Sequence, residues 1–202
     1  MRTLHRPIVV LLLLVAAAMA TQSHVVAWGA WNSVTLASGQ QLKVRPILVD
    51  GRIKEYSTGA AHQVTDNLWV ARRVFRLNNA LPDESPKGPK WTWQLDGWMT
   101  VSSASGRISE LNMPEFIPLT SQASWFQDYA AYCGATEDGT VHYMVVFQLG
   151  KRKPILKKEL YGQSCDAPKW QRDPSRVTFE PASGASVSFV VHDGIAELQS
   201  RQ

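Results

Sequence analysis

The chain lacks the short patterns from which most enzyme chemistry is read. It has no GxxxxGK[ST] and no GxGxxG, so the backbone cradle for phosphates used in nucleotide hydrolysis and dinucleotide redox chemistry is missing. It has no GxSxG elbow, and Ser183-Gly184 suits a hairpin turn rather than a nucleophile. Histidine is sparse. Beyond the N-terminal segment only His24, His62, His142 and His192 occur, with no HxH or HExxH spacing, so a metal site has no starting point and no cofactor is expected. His62 near Asp66 and His192 beside Asp193 fit hydrogen-bonded pairs near turns.

Cysteine is nearly absent as well: the 202 residues hold two, Cys133 and Cys165. A disulfide-dense scaffold is excluded, and in an oxidising compartment only one intramolecular pairing is possible. Cys133 beside His142 also has the elements of a thiol nucleophile, but a second cysteine in an exported chain favours a bridge. Long stretches with the 3.6-residue apolar period of an amphipathic helix are scarce too.

The N-terminus, MRTLHRPIVVLLLLVAAAMATQS, has Arg2 and Arg6 before an apolar run, then Ala18-Met19-Ala20. This reads as a secretory signal peptide over residues 1–20, too short in its apolar part for a span of about 20 residues. A secreted or periplasmic location follows, with no membrane span once the signal is cleaved. Removal of that segment takes two arginines and no acid, so 21 basic against 17 acidic residues becomes 19 against 17. A balance of +2 is a weak argument for nucleic acid, which needs basic charge gathered on one face.

What the chain has in abundance is turn signals between β-branched and aromatic runs. Ser38-Gly39, Asp50-Gly51, Asp96-Gly97, Ser105-Gly106, Asp138-Gly139, Ser183-Gly184 and Asp193-Gly194 supply the positive φ that tight hairpins need. The expectation is an all-β protein of antiparallel meanders. LPDESPKGPK, residues 81–90, is too rich in proline for a strand interior and reads as a loop or linker between a small N-terminal β unit (25–80) and a larger C-terminal one (91–202). In LWVARRVFRL the face with Trp69, Ala71, Arg73, Phe75 and Leu77 reads as the core face. MVVF, residues 144–147, is continuously apolar and suits a strand covered on both sides. Residues 124–156 resemble one propeller blade in rhythm, which implies a partial propeller-like geometry, and a short helix is expected near Trp125–Tyr129.

Three features carry functional expectations. KWTWQLDGWMTV places Trp91, Trp93 and Trp98 within eight positions, two of them on one face of a strand and the third past an apparent Asp96-Gly97 turn. They are either core filling or a stacking platform for a sugar or other apolar partner. KRKPILKK holds Lys151, Arg152 and Lys153, which either protect a strand end from aggregation or attract an anionic envelope polymer. Asp128, among Trp125, Phe126 and Tyr129, is the best candidate acid, and Glu137 its nearest partner for general acid–base hydrolysis. The favoured reading is an exported, non-catalytic binding module for carbohydrate or anionic polymer; the alternative is a secreted hydrolase acting on a carbohydrate or peptide polymer.

Overall fold

A computed structural model describes residues 23–81, 88–160, 165–182 and 184–199. The expected signal peptide lies outside the described residues. Fifteen strands and no helix occur among them, so the protein is all-β. In chain order they are β1 (Val26–Trp28), β2 (Asn32–Thr35), β3 (Gln41–Val49), β4 (Arg52–Thr65), β5 (Leu68–Asn78), β6 (Trp91–Ser102), β7 (Ile108–Leu111), β8 (Ser124–Phe126), β9 (Tyr129–Ala135), β10 (His142–Gln148), β11 (Leu156–Glu159), β12 (Lys169–Gln171), β13 (Arg176–Phe179), β14 (Val187–His192) and β15 (Ile195–Leu198). They form three antiparallel sheets. Sheet I runs β1-β3-β4-β5-β6-β7 with β2 also on β3, sheet II runs β11-β10-β9-β8, and sheet III runs β12-β13-β14-β15.

The Gly-containing dipeptides turn the chain where expected between β2 and β3, β3 and β4, β6 and β7, β9 and β10, and β14 and β15. Asp50 and Gly51 both adopt positive φ, as do Asp193 and Gly194, which a tight two-residue reversal demands. Asp96-Gly97 departs from the pattern. It lies inside β6, where Arg72 pairs with Trp98 and Val74 with Leu95, so two residues of β6 stand opposite Arg73 alone. The dipeptide is a β-bulge, not a hairpin turn. Neither residue takes a positive φ, and the extra residue bends a 12-residue strand.

The segment 81–90 connects β5 and β6, which are hydrogen-bonded neighbours in sheet I, and Asn79 N–H donates to Lys90 O across its base. The chain leaves sheet I after Leu111. At its far edge, Leu36 bridges Trp93, Ala37 N–H donates to Trp93 O, and His24 N–H to Ser103 O, so the sheet curls toward β6. Sheets II and III are successive four-stranded meanders; no further propeller feature is present among the described residues.

Sheet II is the middle layer. Val145 and Phe147 of β10 join Ala130, Tyr132, Met113 and the sheet I residues Val70 and Trp98 in one core. Met144 and Val146 join Ala131, Val177, Phe179, Phe189 and Val191 in the other, against sheet III. Alternation along a strand with both faces covered is the physical reason that MVVF shows no polar residue. A smaller core of Ile47, Ala71, Met99 and Val101 fills the opposite side of sheet I.

The expected core face of β5 needs correction. Ala71 is buried, but so are Val70, Arg72 and Val74 on the other face, where Val70 packs against sheet II and Arg72 meets Phe116 and Pro118. The charge of Arg72 hid this. Its guanidinium donates to Pro118 O and lies 4.6 Å from the Phe116 ring centroid, and burial pulls its pKa down to about 10.

Pro118 and Phe116 belong to a strap, residues 112–123, that carries the chain from sheet I to sheet II. Tyr132 O–H donates to Pro114 O at 2.6 Å, and Ala135 N–H to Glu115 O at 2.9 Å. Glu115 also pairs with Lys157 at 2.5 Å. Burial pushes the Tyr132 hydroxyl pKa upward, so it stays a donor at every physiological pH. The strap runs close enough to Gly134 that a Cβ there would sit 2.2 Å from Glu115 O.

The helix expected near Trp125–Tyr129 is instead the β8–β9 hairpin. Phe126 pairs with Tyr129, and Gln127 takes a φ of 52° to close the reversal. A glutamine gives no signal for that geometry.

Cys133 on β9 is bonded to Cys165, with Cα atoms 6.0 Å apart. Cys165 in turn bridges Pro181, beyond β13. The bond staples sheet II to sheet III and closes a loop with a sequence separation of 32, which removes roughly 3 to 4 kcal/mol of unfolded-state entropy on the chain-entropy account. The double variant Cys133→Ser, Cys165→Ser is therefore expected to lose about 3 kcal/mol, read as a fall of roughly 10 °C in the calorimetric Tm. An unchanged Tm would show that packing alone fixes the two sheets.

Candidate functional site

The basic run 151–153 is forced out of the ladder by local chemistry. Gly150 takes a φ of 82° and Lys151 N–H donates to Gln148 O, closing a turn at the end of β10. Pro154 has no N–H to continue a strand, and Ile155 N–H donates to Val146 O to resume the sheet. Lys151, Arg152 and Lys153 are thus displayed on a short loop. Lys157 and Lys158, four to five residues on, are used differently: Lys157 pairs with Glu115 and covers the Tyr143 ring at 4.2 Å, and Lys158 lies 5.9 Å from the Phe189 centroid.

That loop forms one wall of an open cleft of about 880 Å³ between the ends of sheets II and III. Gln127 and Tyr129 of the β8–β9 hairpin and Gln148 line it from sheet II; Ser175, Val191 and the His192-Asp193-Gly194 turn line it from sheet III. Gly194 N–H donates to Tyr129 Oη at 3.3 Å, which joins the two walls. Three basic side chains, His192 and the single carboxylate of Asp193 are among the lining groups. Gln148 Oε1 is buried without a hydrogen-bond partner, and Gln148 Nε2 donates to Asp128 Oδ2 at 2.9 Å. The lining groups carry more basic than acidic side chains, and the cleft is open to solvent rather than enclosed.

The three indoles do not join it. All belong to β6 on sheet I, and the bulge keeps them on one face, since Trp91, Trp93 and Trp98 pair with Asn78, Arg76 and Arg72. Their environments differ. Trp98, 8% exposed, packs against Trp125 at 5.4 Å and belongs to the core between sheets I and II, so it is not available to a surface platform. Trp93 is half-buried, edge-on to Tyr56 at 5.1 Å. Trp91 is 51% exposed, with the Arg76 guanidinium 5.1 Å from its ring. About 20 Å of strand separates Trp91 from Trp98 at roughly 3.3 Å per residue. A three-indole platform is replaced by one core indole and a cation–aromatic ladder of Tyr56, Arg76, Trp93 and Trp91.

Asp128 and Glu137 flank opposite ends of β9, whose seven residues hold them apart by about 20 Å. Acid–base hydrolysis needs carboxyls within about 10 Å, so this pair does not form a catalytic dyad. Asp138, next to Glu137, accepts from Thr140 N–H and from the hydroxyls of Thr136 and Thr140, which lowers its pKa to about 2. Its part is to fix the β9–β10 turn. His62 Nε2 donates to Gln127 O at 2.8 Å rather than meeting Asp66, and His192 lies 3.8 Å from Glu197 rather than pairing with Asp193. No group of three or more His, Cys, Asp or Glu able to hold a metal occurs among the described residues. The basic run itself was legible from sequence, whereas the cleft was not, since Ser175 and His192–Gly194 are brought beside that run only by the packing of sheet III.

No family model, no curated protein and no solved structure matches this chain.

Proposed function

We propose that the protein is an exported, non-catalytic binding module that holds an anionic polymer, such as an acidic envelope polysaccharide, in the cleft between sheets II and III. The observation that carries this reading is the convergence of Lys151, Arg152 and Lys153 on an open cleft with a single opposing carboxylate. Export is supported by the disulfide, and no helix among the described residues is long and apolar enough to cross a membrane. Each solvent-exposed cation–anion contact contributes only about 0.2 to 1 kcal/mol and is screened by salt. Useful affinity therefore comes from many weak contacts along a chain, as in repeated anionic units.

The test is titration of the full chain with polygalacturonate and with neutral dextran, followed calorimetrically at low and high ionic strength. Polygalacturonate is expected to bind at low salt and to weaken about tenfold or more at ~0.5 M salt. The triple variant Lys151→Glu, Arg152→Glu, Lys153→Glu is expected to lose at least about tenfold in affinity with its Tm unchanged, since these side chains stand in solvent. Equal binding of dextran, or wild-type affinity in the triple variant, would reject the reading.

A further inference from the structure

Arg45, on β3 of sheet I, is held between two indoles. Its guanidinium carbon lies 4.5 Å from the Trp28 centroid and 4.5 Å from the Trp31 centroid. Stacking of this kind fixes a guanidinium plane while leaving its N–H edge free to bond. Here nothing takes that edge. Arg73 meets Glu55 and Asp96, and Arg72 meets Pro118 O, but no acceptor reaches Arg45 among the described residues, and its Nε is buried without a partner. Across the register stands Ser57, almost fully buried, whose Oγ is also without a partner. A half-buried cation with no acceptor is costly unless an anion completes it.

Beside Arg45 opens a cleft of about 550 Å³. Its origin is local. The β4–β5 register jumps between Thr58 and His62, so Gly59, Ala60 and Ala61 leave the ladder, and with φ of 65° at Gly59 and only small side chains following, the bulge leaves a hollow rather than filling one. Leu42 and the 45%-exposed ring of Trp31 give the cleft an apolar wall, Lys43 adds a second cation, and no carboxylate lines it. A hollow of this size suits a ligand of one or two rings. Two cations beside an indole select an acid group attached to a flat or cyclic body.

We propose that this cleft binds a ring-bearing carboxylate, with the acid group on Arg45 and Lys43 and the ring against the exposed side of Trp31. The site lies on sheet I, shares no residue with the basic cleft of sheets II and III, and does not rest on the polymer reading. Sugar acids and aromatic acids share the required chemistry, so galacturonate and benzoate are the two probes, with galactose and benzamide as their neutral counterparts.

Each is titrated into the full chain and followed by calorimetry and by the indole N–H resonances. At least one acid is expected to bind with a Kd of about 1 mM or tighter, and its neutral counterpart at least about tenfold more weakly. Binding of galacturonate alone assigns a sugar acid, and of benzoate alone an aromatic acid. Trp31→Ala, Lys43→Gln and Arg45→Gln are each expected to weaken the bound acid about tenfold. Lys43 is a surface position outside the Trp28–Arg45–Trp31 stack, so Lys43→Gln keeps the test valid even if loss of that stack unfolds the chain. The triple charge reversal in the other cleft is expected to leave this binding unchanged. Failure of both acids at ~10 mM, equal binding of a neutral counterpart, or wild-type affinity in Trp31→Ala would overturn the proposal.

Discussion

Gly134→Ala is expected to destabilise the protein by about 3 kcal/mol or more, lowering the Tm by roughly 10 °C. The new Cβ would stand 2.2 Å from Glu115 O and 2.9 Å from its carbonyl carbon, and both sides of that contact are backbone, so no side-chain rotation relieves it. The strap must lift. With it go the hydrogen bond from Ala135 N–H to Glu115 O, the bond from Tyr132 O–H to Pro114 O, and the ion pair of Glu115 with Lys157. Tyr132 is fully buried, and an orphaned hydroxyl there is costly. Gly97→Ala is the control, because a Cβ at that position meets nothing within 4 Å. Urea denaturation of both variants decides the matter: a Gly134→Ala midpoint equal to that of Gly97→Ala would mean that the strap moves without cost.

Trp98→Ala is expected to cost about 3 to 5 kcal/mol, the range for deleting a large aromatic side chain from a core. Trp98 fills the space between sheets I and II, in contact with Trp125. Its Nε1 is buried without a hydrogen-bond partner, as is that of Trp125. Trp98→Phe is therefore expected to recover most of the loss, since it restores ring area and removes an unpaired donor. Trp91→Ala should change stability by less than about 1 kcal/mol, because half of that ring is already in water. The contrast within one strand is the measurement: equal losses for Trp91 and Trp98 would contradict the packing described for β6.

These two indoles also mark the limit of what the sequence carries. Period-two alternation and turn dipeptides suffice for the sheet-rich fold, and continuous apolarity suffices to place β10 between two layers. The Cys133–Cys165 pairing needs only export and a count of two. Burial of particular residues on β5 and β6 was not legible, because it depends on which neighbour covers each face. Val70, Arg72 and Val74 are all buried on one face, yet an arginine in that row reads as solvent-facing until Pro118 and Phe116 are seen to receive it. Asp96-Gly97 misleads for a related reason, since a dipeptide that favours a tight reversal sits here in a bulge with neither residue at positive φ. Gln127 at positive φ offers the opposite case, a tight reversal with no glycine, asparagine or aspartate at the residue that makes it. The basic loop announces itself in composition. Arg45 does not: an arginine in a β-strand gives no hint that Trp28 of β1 and Trp31 of the β1–β2 connection will close on it.

The middle layer has one more implication. A slab of backbone sealed above by Val70 and Trp98 and below by Phe179 and Phe189 offers a visitor neither of its broad surfaces. Only its rims remain negotiable, and at one of them a proline and a glycine free three cations from the weave. Substitutions can then accumulate at the margins, residue by residue, while the slab that holds those margins in place stays untouched.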